Sequence, residues 1–213
     1  MLNLKKGIFV TFEGPEGCGK STQVYKLTEA LRVQGYEVIA TREPGGTAIG
    51  QQIRNILLNP DNVSLVHRTE VLMFAADRIQ HLEEKIWPAL KQKKIVICDR
   101  YIDSTTAYQI GGRPLPAQLI SEINRISTEN LKPDLTFLLD IPVAEGLKRA
   151  TQQSSDRFEK EFISFHEGVR RQYLELAKAE PERIVMLNGL DAIEQIHHQV
   201  LTITHKLFEK NAI

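Results

Sequence analysis

The sequence predicts a three-layer α/β fold in which helices cover both faces of a five-stranded parallel sheet. Short apolar runs alternate with longer amphipathic stretches along the chain, which is the pattern of repeated strand–helix units. The apolar runs do not alternate strictly between polar and apolar side chains, as is usual when both faces of a parallel sheet are buried. Ligands of such folds bind at the carboxyl ends of the strands. We therefore expect the ligand-binding and catalytic residues in the segments that follow each strand.

The predicted elements come in the order that this fold requires. Strands are predicted over residues 7–12, 36–41, 95–99, 134–140 and 183–187. Apolar side chains at helical spacing predict helices over residues 20–34, 47–58, 65–92, 103–110, 116–128, 158–178 and 192–208, and a further helix that starts near Pro142. Gly35 is a stop signal for the first helix, and Pro88 predicts a kink or a break in the third.

Length and composition restrict the class of protein. A chain of 213 residues predicts a single domain spanning 1–213. The 27 basic and 27 acidic residues cancel, so no overall charge favours nucleic acid or an anionic membrane as a partner. Cys18 and Cys98 are too few for a disulfide framework. No apolar run has the length of a membrane span, and the N-terminus lacks a signal-peptide pattern. We expect a cytoplasmic location.

A glycine-rich loop follows the first strand and precedes the first helix. It reads Gly, four residues, then Gly-Lys-Ser, from Gly14 to Ser21. Its glycines allow backbone N–H groups to surround a phosphate, and the helix N-terminus adds partial positive charge. Lys20 is expected to reach the β- and γ-phosphates and Ser21 to bind magnesium. The predicted ATP contacts in this loop are Gly14, Pro15, Glu16, Gly17, Cys18, Gly19, Lys20, Ser21 and Thr22. The alternative is a glycine-rich turn with a helix cap.

The loop alone does not separate kinases from other nucleotide-binding proteins. The absence of an Asn-Lys-x-Asp tetrapeptide argues against a guanine-specific GTPase. Asp99 ends an apolar strand next to the loop, where a carboxylate can hold magnesium or orient an acceptor group. A structural hydrogen bond is the alternative role for Asp99.

Three further segments narrow the substrate. Thr-Arg-Glu-Pro-Gly-Gly-Thr follows the second strand at 41–47, Phe-Ala-Ala-Asp-Arg lies in a helix at 74–78, and Asp-Arg-Tyr-Ile-Asp-Ser follows the third strand at 99–104. Together with the phosphate loop they resemble thymidylate kinases closely, in order and spacing, over essentially the whole chain. The resemblance implies a P-loop nucleoside monophosphate kinase fold, the substrates dTMP and ATP, Mg²⁺, and a homodimer, for which we expect the apolar face of residues 65–87 to serve.

Arg42, Arg78 and Arg100 lie in these three segments. Each guanidinium can donate two hydrogen bonds to a phosphate, and convergence of all three would form a clamp for a monophosphate. By resemblance they would hold the acceptor phosphate. Taken singly, each could instead form a surface salt bridge.

The expected base and sugar contacts lie on two helix faces. Phe74 and Arg78 are four residues apart and share a face, so Phe74 could stack on a base or belong to the core. In similar enzymes the residues aligned with Thr105 and Gln109 bind thymine, and the ring aligned with Tyr108 lies under the sugar. Arg54 aligns with an arginine on the base side, although an exposed helix residue is the alternative. By resemblance, Glu16 contacts the 3′-hydroxyl of the acceptor.

The sequence departs from the thymidylate kinase pattern at the residue after Gln109. Similar enzymes tend to have a glycine there, whereas this chain has Ile110 before Gly111.

Residues 148–160 are predicted to form a lid that closes over ATP. The segment is polar, with basic groups at both ends, and a closing lid excludes water from phosphoryl transfer; an ordinary connector is the alternative. The position after Glu16 is Gly17 rather than a basic residue. The resemblance then implies that the lid supplies the catalytic arginine, Arg157, while Arg149 packs against adenine. The predicted catalytic set is Lys20, Asp99, Arg100 and Arg157.

The predicted activity is ATP-dependent phosphorylation of dTMP to dTDP, a step in dTTP synthesis. A kinase for another pyrimidine nucleoside monophosphate or for a deoxynucleoside is the nearest alternative. A regulatory P-loop module is a further alternative, but it would have no use for the set formed by Phe74, Thr105 and Gln109.

Overall fold

The computed structural model describes residues 4–150 and 156–212. Its centre is a parallel sheet of five strands: β1 (Ile8–Glu13), β2 (Val38–Arg42), β3 (Ile95–Asp99), β4 (Leu135–Asp140) and β5 (Ile184–Asn188). The spatial order is β2-β3-β1-β4-β5. All four pairings are parallel. The predicted α/β class with a five-stranded parallel sheet is confirmed.

Helices lie on both faces of this sheet, as predicted. They are α1 (Lys20–Val33), α2 (Ala48–Leu58), α3 (His67–His81), α4 (Trp87–Lys91), α5 (Ile102–Thr106), α6 (Ala117–Thr128), α7 (Val143–Ala150), α8 (Ile163–Ala179) and α9 (Ile193–Lys210). Leu27 of α1 and Val200 of α9 pack with Phe12 and Phe137 on one face. Among the described residues no helix is long and apolar enough to cross a bilayer.

Pro88 does not break the helical region that contains it. A π-helical turn, Leu82–Ile86, joins α3 to α4, and Pro88 lies in the first turn of α4. The N–H of Trp87 bonds to the carbonyl of Leu82, five residues earlier. The wider turn leads into the proline, which cannot donate a backbone hydrogen bond of its own. The helical segment is therefore continuous, and its Leu82 and Ile86 pack with Phe9 and Val96 of the sheet.

Two predicted helix boundaries differ from the structure. The helix predicted from residue 158 begins at Ile163, because the carboxylate of Asp156 accepts hydrogen bonds from the N–H groups of Phe158 and Glu159 and forms a turn instead. The helix predicted over 103–110 consists of α5 and a π-helical segment, Ala107–Gly112. Local side-chain capping and a π-turn are both invisible to a search for helical periodicity.

The π-helical segment crosses α8 at two glycines. A Cβ placed on Gly111 would lie 2.3 Å from the carbonyl oxygen of Gly168, and a Cβ on Gly168 would lie 2.0 Å from the carbonyl oxygen of Gly111. Only glycines permit this approach. It brings Tyr173 of α8 against Tyr108, with ring centroids 6.4 Å apart, beside the carboxyl end of β1.

Candidate active site

The phosphate loop has the backbone that its glycines predict. Gly14, Gly17 and Gly19 have φ values of 140°, 68° and 95°, which L-residues with a side chain rarely adopt. A Cβ on Gly17 would lie 2.1 Å from the carbonyl oxygen of Gly146 in α7. The loop therefore leads directly into α1, which begins at Lys20. The backbone N–H groups of the loop are free to surround an anion.

Lys20 is folded onto this loop. Its ammonium group donates to the carbonyl oxygens of Gly14 at 3.1 Å and Pro15 at 2.8 Å, and it lies 3.4 Å from the sulfur of Cys18. These contacts fix the charge within the loop, where a phosphate oxygen can take the place of the carbonyl partners.

Ser21 and Asp99 meet where β1 and β3 lie side by side. The Ser21 hydroxyl donates to the Asp99 carboxylate at 2.6 Å. A hydroxyl and a carboxylate beside a phosphate site fit Mg²⁺, which usually binds one or two protein oxygens together with substrate phosphates. The predicted metal-binding pair is therefore brought together by the fold.

The loop opens into a wide space that we call the loop cleft. Its lining includes residues 16–23 and the side chains of Arg42, Arg54, Asp99, Arg100 and Arg149. Arg149 donates to the carbonyl oxygen of Gly189 at 3.2 Å, at the turn after β5. Arg42 donates to Gln51 at 3.0 Å. Four guanidinium groups thus surround a space next to an anion-binding loop.

Arg100 is the most firmly held of these arginines. One guanidinium nitrogen donates to the carbonyl oxygen of Gly14 at 3.0 Å and the hydroxyls of Ser104 and Tyr173 at 3.1 Å each, and the other donates to Glu16 at 2.8 Å. Its backbone has φ 72°, an uncommon conformation that costs roughly 1–3 kcal/mol for a residue other than glycine. The surrounding bonds hold the guanidinium at the mouth of the loop.

Glu16 is an anion beside phosphate-binding groups, and the structure shows what balances it. Burial alone would raise the pKa of this carboxyl, but the charges of Arg100 and Lys20 hold the pKa at about 2. The hydroxyl of Tyr108 also donates to Glu16 at 2.6 Å. Glu16 is therefore an ionised acceptor that lies between the loop and the ring of Tyr108.

A second space, which we call the inner cavity, lies behind Arg100. It is partly open to solvent, and its walls combine aromatic rings with a few polar side chains, as is usual for ligand sites. The predicted acceptor contacts among its lining residues are Glu16, Arg54, Phe74, Arg78, Arg100, Thr105, Tyr108 and Gln109. Glu16, Glu43, Arg54, Arg100 and Asp156 line both the inner cavity and the loop cleft, so the two spaces meet at these five side chains.

Of the three arginines of the expected phosphate clamp, Arg78 lines the inner cavity with Arg100 but does not line the loop cleft with Arg42. Its side chain is 2% exposed. Its three guanidinium nitrogens donate to Glu43 at 2.8 Å, Thr105 at 2.8 Å and Asn124 at 3.1 Å. It lines the inner cavity and is absent from the described residues that line the loop cleft. Arg42 and Arg100 thus lie at the cleft, whereas the bond to Glu43 holds Arg78 in the cavity.

Arg54 lines both spaces, and Phe74 lines the inner cavity. Arg54 donates to the carbonyl oxygen of Pro44 at 2.9 Å. The ring of Phe74 is 6.0 Å from that of Phe158, which itself lies 5.7 Å from Tyr108. Phe74 therefore forms part of the cavity wall, and Phe158 of the predicted lid packs beside it in the same wall.

Arg157 is not brought to the loop cleft. Its guanidinium donates to the carbonyl oxygen of Leu57 at 2.9 Å and to the buried carboxylate of Glu70 at 2.6 Å. The central part of the predicted lid, residues 151–155, lies outside the described residues. Of the four predicted catalytic residues, the structure brings together Lys20, Asp99 and Arg100, while Glu70 holds the fourth behind the inner cavity.

A buried carboxylate that no sequence pattern predicted lies at the end of β1, directly before the phosphate loop. Glu13 is fully buried and accepts from the N–H of Tyr101 at 2.7 Å and the hydroxyls of Ser104 at 2.5 Å and Tyr173 at 3.0 Å. Burial and the charge of Asp103 raise its pKa to about 7, although Ser104 and Arg100 act in the opposite direction. A glutamate at the end of an otherwise apolar strand, directly before the loop, was the available signal.

The fold and the site together define a class. A phosphate loop at the end of β1, an arginine-lined cleft and an adjoining cavity with aromatic and polar walls are the parts of a P-loop kinase that acts on nucleoside monophosphates.

Comparison with known proteins gives the family. Residues 12–200 match the family model described as thymidylate kinase. The chain is 46% identical over 202 residues to a thymidylate kinase of Pelobacter propionicus, covering 92% of each chain. It is 42% identical over 212 residues to one of Desulfosudis oleivorans, covering 96% of this chain and 99% of the relative. A crystal structure of thymidylate kinase from Ehrlichia chaffeensis superposes with a TM-score of 0.78 at 35% identity, covering 93% of this chain and 98% of the other. The chain belongs to the thymidylate kinase family.

Proposed function

We propose that this kinase transfers the γ-phosphoryl group of ATP to the phosphate of dTMP, giving dTDP and ADP. The observation that carries the proposal is the junction of the loop cleft and the inner cavity, whose shared side chains include Glu16, Arg54 and Arg100. A donor nucleotide in the cleft and a pyrimidine nucleotide in the cavity would meet there with their phosphates facing each other.

The donor side consists of the loop, Lys20 and Arg149. The backbone N–H groups of the loop and the ammonium of Lys20 bind the β- and γ-phosphates of ATP. Arg149, held by Gly189, offers its flat guanidinium to the adenine. Ser21 and Asp99 would hold Mg²⁺, which neutralises part of the phosphate charge when bound.

The acceptor side needs no strong general base, because a phosphate already carries its nucleophilic oxygens. Arg42 and Arg100 orient that phosphate and neutralise charge during transfer. Glu16 accepts a hydrogen bond from the 3′-hydroxyl, and the ring of Tyr108 lies under the sugar. Phe74 stacks on the base, while Arg78, Thr105 and Gln109 bind its polar edge. In this arrangement Arg78 serves the base rather than the phosphate.

The lid assignment and the oligomeric state are part of the same proposal. Residues 148–160 close over ATP, and Arg157 leaves Glu70 to stabilise the transferring group. A homodimer forms through the apolar face of residues 65–87, where Leu72 and Ile79 are exposed. Apolar side chains grouped on one face are typical of an interface. We expect the enzyme to act in the cytoplasm.

The direct test is ADP release from Mg-ATP with a panel of dTMP, dUMP, dCMP, UMP, AMP and thymidine. We expect turnover with dTMP, weaker turnover with dUMP because one methyl group is worth about 1–3 kcal/mol in a pocket, and none with thymidine, which lacks the phosphate. Preference for another monophosphate would refute the proposed base contacts but would leave the proposed phosphoryl-transfer mechanism intact. Bound ATP without turnover of any acceptor would refute the kinase assignment.

A further inference from the structure

A buried carboxylate in the first turn of α3 has no part in the mechanism described above. Glu70 is completely buried and contacts three side chains from two other parts of the chain. It accepts from the amide nitrogen of Gln109 at 2.8 Å, from Arg157 at 2.6 Å and from Arg113 at 3.4 Å. Arg113 is in turn paired with Glu161 at 2.7 Å.

These contacts determine which way the amide of Gln109 points. An ionised carboxylate only accepts hydrogen bonds, and Glu70 forms ion pairs with Arg113 and Arg157. The amide of Gln109 presents its NH₂ group to Glu70 at 2.8 Å, and its oxygen lies on the other side. The orientation follows from the chemistry of the partner.

The amide oxygen of Gln109 is buried and has no hydrogen-bond partner among the described residues. A buried acceptor without a partner is costly, and Gln109 lines the inner cavity. A ligand that donates a hydrogen bond at this place would remove that cost. Nearby, Arg78 supplies a donor group beside Thr105. The cavity therefore pairs one fixed acceptor with one fixed donor.

This pair fits one class of pyrimidine. A 4-oxo-pyrimidine presents an N–H donor at N3 next to a carbonyl acceptor at position 4, which complements Gln109 and Arg78. Cytosine presents the reverse pattern, an acceptor at N3 next to an amino donor. We propose that Glu70 is a positioning residue that selects 4-oxo-pyrimidines by holding the acceptor oxygen of Gln109 toward the base. This inference rests on the proposed function, since it assumes that a pyrimidine nucleotide occupies the inner cavity.

The test is the ratio of kcat/KM for dTMP to that for dCMP in the Glu70→Gln variant. A glutamine at this place can offer either an oxygen or an NH₂ group, so the amide of Gln109 is no longer fixed. We expect the ratio to fall by about tenfold, the size of one well-placed hydrogen bond. The change should come through a higher KM for dTMP, with the KM for ATP unchanged.

Arg113→Gln is the matched control. It removes another partner of Glu70 from the same buried cluster but leaves the bond between Glu70 and Gln109, so the dTMP/dCMP ratio should stay at the wild-type value. Gln109→Leu should lower the ratio as far as Glu70→Gln does, and the double variant should be no worse than either single variant, because both changes remove one interaction. An unchanged ratio in Glu70→Gln, an additive double variant, or an equal loss in Arg113→Gln would each overturn the proposal.

A measurement without substitution at Glu70 covers the case in which Glu70→Gln does not fold. The side-chain amide protons of Gln109, identified by their absence from the spectrum of Gln109→Leu, should exchange slowly with solvent in the free enzyme. Exchange as fast as that of exposed glutamines would overturn the proposal. If wild-type enzyme does not turn over dTMP at all, the proposed function fails; if it does and the ratio does not respond to Glu70→Gln, only this inference fails.

Discussion

Substitution of Glu13 by glutamine should change how stability depends on pH. Glu13 lies at the carboxyl end of β1, fully buried, and its pKa is raised from 4.5 to about 7 by burial and by the charge of Asp103. The folded state therefore holds the proton more tightly than the unfolded chain does. The stability from this group is complete below pH 4.5 and is lost as the pH rises to 7 and above. At about 1.36 kcal/mol per pH unit, the loss amounts to roughly 3 kcal/mol.

Most of that loss, about 2.5 kcal/mol, falls between pH 5 and pH 8.5. The assay is thermal unfolding of wild-type protein and Glu13→Gln at both pH values. Because a chain of this size changes its Tm by about 2–4 °C per kcal/mol, the wild type should lose roughly 5–10 °C relative to the variant over this range. Glu182→Gln, at the exposed turn before β5, is the control for removing one carboxylate. Parallel pH profiles of wild type and Glu13→Gln would refute the reasoning.

Two further predictions test the lid and the interface. Arg157→Ala should lower kcat by about a thousandfold or more, as loss of an arginine at a transferring phosphoryl group does, while the Kd of ATP, measured by calorimetry, changes little. A lower Tm with normal kcat would limit Arg157 to its ion pair with Glu70. Leu72→Glu, on the exposed face of α3, should convert a dimer to a monomer in light scattering, whereas Val33→Glu at the end of α1 should not. A dimer that persists in Leu72→Glu would exclude this face as the interface.

The sheet could be predicted from the sequence because its signals are local. The strand predicted over residues 95–99 has the bounds of β3, and the other predicted strands overlap the observed ones. The phosphate loop could be predicted for the same reason, since the glycines that its backbone needs lie within the motif from Gly14 to Ser21. Helical spacing also placed Thr105 and Gln109 on one cavity wall. In each case the determining residues lie within one turn or one strand of each other.

The direction of a long side chain could not be predicted in this way. Arg78 serves the inner cavity because Glu43, 35 residues away, holds its guanidinium. Arg157 is held by Glu70, 87 residues away. Such pairs form only when the helices have packed, and a buried charge takes the partner that the packing provides. For the same reason the roles of Glu13 and Glu70 could not be predicted, because their hydrogen-bond partners are distant in sequence.

The buried network around Arg100 explains why a strained, charged residue is tolerated at the junction of the two spaces. A guanidinium is needed there, so glycine, which would relieve φ 72°, cannot serve. The backbone N–H of Arg100 bonds to the carbonyl oxygen of Phe12 at 2.9 Å, and Ser104 and Tyr173 bond both to its guanidinium and to Glu13. Strain persists only where surrounding contacts fix the conformation. Glu13 therefore anchors the hydroxyls that orient Arg100, and its burial, which raises its own pKa, is a consequence of that position.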